Sequence, residues 1–169
     1  MAEEQLLLKI GINADTKGLN SLNTQFNQLQ RGINTLNSSL KTGGASLDTY
    51  KAKQQLLAKQ LETLQQKQVK CTNVINNFSK AMQENRAKYE ELAKAEGDHS
   101  SELMKLDNEY YKMQNAVNKA ETEMATLETQ IRSTTTELNN CNTAVGNFNQ
   151  LQLSEHLQEQ GKHLQELGD

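Results

Sequence analysis

The chain has no proline and no tryptophan, and its aromatic content is only 4%. Without proline, every residue keeps its amide donor and a free φ, so nothing covalent forces a helix to stop. Apolar residues are also scarce: they make up 35% of the 169 residues, against roughly 45–50% in an ordinary domain with glycine counted. A conventional globular core is a poor fit. Charge of one sign is missing as well, since 18 basic residues oppose 21 acidic ones for a net −3. No overall field draws the chain to nucleic acid or to an anionic membrane. No apolar run approaches the roughly 18–20 residues that span a bilayer. The opening Met1-Ala2-Glu3-Glu4-Gln5 is acidic where a secretory signal is basic. These features point to a protein made and kept in a cytosol.

Cysteine and histidine are too few and too scattered for a metal centre. Cys71 and Cys141 form no Cys-x-x-Cys pair, and His99, His156 and His163 lie apart from them. No metal and no cofactor is expected. The cysteines read as small core residues and His99 as a solvated loop histidine. His156 and His163 read as surface residues, because metal-binding pairs on helices favour i, i+4 spacing. No acid, base and nucleophile come together, which argues against an enzyme and against a small-molecule substrate.

What is present is periodicity. Leu6, Leu8, Ile10 and Ile12 alternate at period two, so residues 1–16 are expected to form a short strand and turn. A lone strand must pair with a copy of itself or with another protein's sheet edge. Asn13-Ala14-Asp15-Thr16 supplies a turn and a helix cap. From there Leu19, Leu22, Phe26, Leu29, Ile33, Leu36 and Leu40 follow a 3-4 spacing, a heptad with a at Leu19 and d at Leu22. Carried forward unchanged, the frame reaches Leu57, Leu61, Leu64, Cys71, Phe78, Met82, Leu103, Leu106, Met113, Leu127, Ile131, Cys141 and Phe148. About 31 of about 38 core positions are apolar over roughly 130 residues, as a coiled-coil seam requires. Gln54, Gln68 and Asn85 are polar core positions of the kind that fix register.

Glycine marks the breaks. Gly43-Gly44 and Glu96-Gly97-Asp98-His99 are the weak points, with Ser46 and either Asp98 or Ser100 as caps for the helices that follow. The expected fold is all-α: a neutral, Asn/Gln-rich heptad helix over 17–42, then a coiled-coil pair over 46–145. The pair comprises 46–95 and 99–145 with its turn near 96–99. After Phe148 the frame slips, and a short amphipathic helix is expected over 149–169.

Charges beside the seam select the partner. In the second helix they are Lys51, Lys53, Lys67, Arg86 and Lys88; in the third, Glu102, Asp107, Glu109, Glu121, Glu123, Glu128 and Glu137. One set is all basic and the other all acidic, so an antiparallel hairpin is favoured over a parallel homo-oligomer. Folded about the turn, Met82 faces Met113, Phe78 faces Val117 and Leu57 faces Leu138, while Arg86 approaches Asp107 and Lys88 approaches Glu109. Cys71 then faces Met124 and Cys141 faces Gln54, so the two thiols do not meet. The first helix has Asn23, Gln25, Gln30, Gly32, Asn37 and Ser39 on its flanks. Without charge it has no preference, and either self-association or docking elsewhere remains open.

The opening "LLLKIGINADTKGLNSLNTQFNQLQRGINTLNSSL" resembles the start of phage and prophage tail tape-measure proteins, with Asp15-Thr16-Lys17-Gly18 at the strand-to-helix step. The stretches "SLDTYKAKQQLLAKQLETLQQKQ" and "YEELAKAEGDHSSELMKLDNEYYKMQNAVNKAETEMATLETQI" are similar to segments that follow in such proteins. "LQLSEHLQEQGKHLQELGD" looks like their Gly-punctuated continuation. Such proteins are usually far longer, so the chain is expected to be an N-terminal piece or a short relative. The resemblance implies a structural ruler in the lumen of the tail tube, located in the virion after assembly in the host cytoplasm. The implied partners are the tail tube protein, tail assembly chaperones and tail tip or baseplate hub proteins. A homo-oligomer, trimeric in its extended form, is also implied, and the Lys-rich flank of the second helix leaves DNA contact open. At 1.5 Å per residue the heptad frame would extend about 195 Å as one rod. The competing reading is a generic coiled-coil scaffold or adaptor that binds a partner helix or sheet edge. A membrane-active helix is disfavoured because the helix faces are too polar.

Overall fold

The computed structural model describes residues 16–44 and 46–168. Among them the chain is almost wholly helical: α1 spans Thr16–Gly43, α2 spans Leu47–Lys94 and α3 spans Ser100–Gly168. Their 28, 48 and 69 residues correspond to about 42, 72 and 104 Å of helix. The expected strand residues Leu6, Leu8, Ile10 and Ile12 lie outside the described residues.

Glycine ends the first helix, and a glycine-containing turn follows the second. Gly44 has φ +81° and Gly97 has φ +103°, left-handed conformations that other residues adopt only with strain. The Ser46 carbonyl accepts from the Tyr50 amide of α2 at 3.1 Å, and the His99 carbonyl accepts from Leu103 at 2.9 Å. Asp98 then completes the start of α3. Its carboxylate accepts from the Ser100 amide at 3.1 Å and the Ser100 hydroxyl at 2.6 Å. These bonds hold the Asp98 carboxyl below its ordinary value, the hydroxyl bond contributing most.

One expectation is corrected. No separate helix begins near 149, because α3 runs unbroken through Phe148 to Gly168. A slip in the apolar frame changes which face is oily but leaves the backbone hydrogen bonds intact. With no proline present, the helix continues. Threonine is accommodated in these long helices by bonding its hydroxyl to the carbonyl four residues back, as at Thr35, Thr63, Thr122 and Thr136.

The helices build two compact units. One contains residues 16–24 and Leu64–Gln130; the other contains Gln25–Thr63 and residues 131–168. In the first, Phe78, Met113 and Ala116 form the core, with Val74, Ala81, Met82 and Val117 packed around them. In the second, Ile33, Leu57 and Cys141 form the core, with Tyr50, Leu56 and Leu138 around them. Contacts within the first unit include Lys67 with Glu123 and Arg86 with Asp107. Partner numbers fall as residue numbers rise, so these segments of α2 and α3 run antiparallel. The same order holds in the second unit, where the Tyr50 and Phe148 rings lie 5.8 Å apart and Leu57 packs with Leu138 and Cys141.

Candidate functional site

Burial is uneven within the heptad. The buried residues Leu22, Leu57, Leu64, Cys71, Phe78, Asn85, Met113, Ala120, Leu127, Thr134 and Cys141 all occupy d positions. Among the a positions only Ile33 is buried. Leu19, Phe26, Leu61, Met82, Leu103 and Ile131 are half-buried, as are the d residues Leu29, Leu36 and Leu106. The interior is therefore off-centre in the heptad, and its extra cover lies on the g side, where Gln60, Lys67 and Ala116 are buried.

In the second unit α1 supplies that cover. Gln60 of α2 is 2% exposed and donates to the Gln30 side chain of α1 at 2.8 Å. Gln30 in turn donates to Asn34 at 3.0 Å. A side chain at Gly32 would begin 2.9 Å from the Leu56 methyl, so glycine lets α1 approach α2 closely. The neutral flank of the first helix thus docks inside the chain, on amides and a glycine. Sequence reasoning named Gln30 and Gly32 but had no charge signal with which to pair them. Gln54, the polar a residue of this unit, donates to Asn142.

The first unit has a polar layer beside the turn. Asn85 donates to the Leu106 carbonyl at 3.0 Å. Arg86 donates to the Asn85 side-chain oxygen at 2.8 and 3.1 Å and to Asp107 at 3.0 Å. The guanidinium also lies 4.6 Å from the Tyr89 ring centre and 4.3 Å from that of Tyr110. A buried amide at a d position is costly unless every group is bonded, and Arg86 and the Leu106 carbonyl complete this one. A backbone carbonyl recurs at every residue, so the register-specific contact is Arg86 with Asp107, and a shifted alignment of the two helices would part them. At the second expected pair, Lys88 with Glu109, Lys88 is exposed, where ordering two long side chains in water gains little. Lys67 with Glu123 at 3.4 Å is a charge pair that sequence reasoning placed on complementary flanks without pairing. Arg86→Ala is expected to lower the stability of this unit by about 1–3 kcal/mol, the range for leaving a buried polar group, here the Asn85 side-chain oxygen, without its partner. A urea titration of the variant reads it; a change within about 0.5 kcal/mol, typical of an unremarkable surface site, would contradict the assignment.

The two thiols are free and buried. Burial pushes both up from the ordinary 9.0. For Cys71 the Glu123 charge adds to the rise and Lys67 opposes it; for Cys141 Lys53 opposes and Glu137 adds. Alkylation at pH 8 is expected to be at least tenfold slower in the folded chain than in urea, because the thiolate is the nucleophile. Equal rates would contradict this. The folded thiols hold their protons above the pH at which unfolded thiols ionise. Their contribution is therefore complete below pH 9 and is lost as pH rises through the folded values.

Three further features bound the chemistry. Among the described residues no group of three His, Cys, Asp or Glu side chains is placed to hold a metal. No helix among them is long and apolar enough to cross a membrane. Residues 149–168 of α3 are exposed throughout, including Leu151, Leu153, Leu157, Leu164 and Leu167. Comparison with known proteins finds no match among family models, curated proteins or solved structures.

Proposed function

We propose that the chain is a non-catalytic, structural coiled-coil protein of a phage tail, acting as a tape-measure component that occupies the tube lumen and sets tail length. The observation that carries this reading is the single heptad frame that runs through all three helices from Leu19 to Phe148. It gives a repetitive, catalytically bland rod-former whose length scales with the number of heptads. The resemblance of the opening segment to tape-measure proteins supplies the tail context. On this reading the tail tube protein, assembly chaperones and tip or hub proteins are its partners. The period-two run Leu6, Leu8, Ile10 and Ile12 is, on this reading, the segment that meets a neighbour's sheet edge. The protein resides in the virion and passes through the host cytoplasm during assembly.

A second reading draws on the antiparallel contacts inside each unit: a folded coiled-coil adaptor that docks a partner helix. Deleting four heptads, residues 50–77, from the gene in place separates the two. The deletion keeps the frame and removes about 42 Å of helix. Tape action predicts tails shorter by about that amount, rounded to whole tube rings, in electron micrographs. Tails of unchanged length would favour the adaptor and remove the ruler role from this region.

A further inference from the structure

The exposed end of α3 has a heptad frame of its own. With Gln150, Leu157 and Leu164 at a, and Leu153, Gln160 and Leu167 at d, it forms one continuous stripe. Leu153, Leu157, Leu164 and Leu167 are between 58% and 70% exposed, so the stripe has no cover within the described chain. Its flanks differ from those of the rest of the molecule. The e positions are Ser154, Gly161 and Gly168, and the g positions are His156 and His163. The charged residues Glu155, Glu159, Lys162 and Glu166 all fall at c and f, away from the stripe.

We propose that this stripe binds the same stripe of a second copy of the chain, parallel and in register. Parallel alignment stacks like on like. Each leucine meets its counterpart, and the Gln150 and Gln160 amides each meet an amide that both donates and accepts. The antiparallel alternative sets Gln150 against Leu167 and Gln160 against Leu157, which leaves polar groups facing apolar ones. Polar core residues select register in this way at some cost in stability. In the structure the Gln160 amide lies 3.1 Å from the His156 ring nitrogen. Pairing exchanges that contact for one with the second copy.

The flanks do not oppose a copy, and the selection of a copy rests on the matched Gln150 and Gln160 layers. Along the rest of the chain, basic flanks on α2 answer acidic flanks on α3, so the in-chain partner is preferred and a parallel homomer is repelled. The end of α3 has no Asp, Glu, Lys or Arg at any flank. Two copies meet there without like-charge repulsion. The small e residues let the second backbone approach closely. A seam of about three heptads binds weakly by itself, and several copies held in one assembly raise its effective concentration. The inference rests on the stripe and its glutamine layers, not on the tail reading. Mass in solution tests the one, and tail length tests the other.

The full chain is weighed by sedimentation equilibrium from micromolar to millimolar concentration. The expected mass rises toward two chains, and a double variant, Leu157→Asn with Leu164→Asn, stays at one chain with its helix content unchanged. Leu153→Cys is then oxidised, alone and mixed with Leu164→Cys. Parallel pairing gives 153–153 and 164–164 disulfides. A one-chain mass at millimolar concentration overturns the proposal. So does a two-chain mass that the asparagines leave intact, or a predominant mixed 153–164 disulfide, which reports antiparallel copies.

Discussion

Phe78→Ala is expected to lower the stability of the unit built on residues 64–130 by about 3–5 kcal/mol, the range for truncating a buried aromatic. Phe78 is 1% exposed and fills the space between Met113 and Ala116, with Val74, Ala81, Met82 and Val117 around it. The neighbouring core is thin, because the unit gains most of its burial from one line of d residues. A cavity at Phe78 therefore has few large side chains to collapse into it. The unit should unfold at lower urea concentration, read by helix content. Phe78→Leu, which restores most of the volume, should recover most of the loss. A loss below about 1 kcal/mol would mean that the ring is not enclosed as described.

Leu57→Ala tests the other unit and should cost about 2–5 kcal/mol. Leu57 is 1% exposed and packs with Ile33 of α1 and Cys141 of α3, so one side chain joins three helices. Its loss should free α1 first, since the Gln60 to Gln30 bond and the Gly32 approach to Leu56 depend on α1 lying against α2. Amide exchange in residues 25–43 should accelerate more than in residues 100–130. Uniform acceleration along the chain would contradict the local role given to Leu57.

Much of this architecture was legible because the heptad is a strong signal and glycine punctuates it. Three helix boundaries fell within a residue or so of Gly43, Leu47 and Lys94, since a left-handed glycine is a physical stop. The pairing of Met82 with Met113, and of Leu57 with Leu138, followed from folding one frame about one turn. Arg86 with Asp107 followed from opposite flank charges. The end of α3 was misread because an apolar frame reports which face is buried, and the backbone has no reason to break where that face changes. The seat of α1 was not legible. Its contacts are Gln30 with Gln60 and Gly32 with Leu56, and amides and glycines have no sign by which a partner can be chosen. The bias of burial toward d was hidden for the same reason: at Gln60 the cover on the g side comes from α1, and the heptad alone treats a and d alike.

The most direct measurement is a distance across α2 and α3 within the first unit. Spin labels on Lys80→Cys and Asn115→Cys sit on exposed positions on either side of the turn, and the buried Cys71 and Cys141 thiols should resist labelling. Helices packed 8–10 Å apart, with labels pointing outward, predict a separation of about 20–30 Å. Residues 80 and 115 in one straight helix would stand about 52 Å apart. A distribution centred on the shorter distance in the free chain is the result predicted here. One centred near the longer distance would contradict the antiparallel packing on which the account of both units depends.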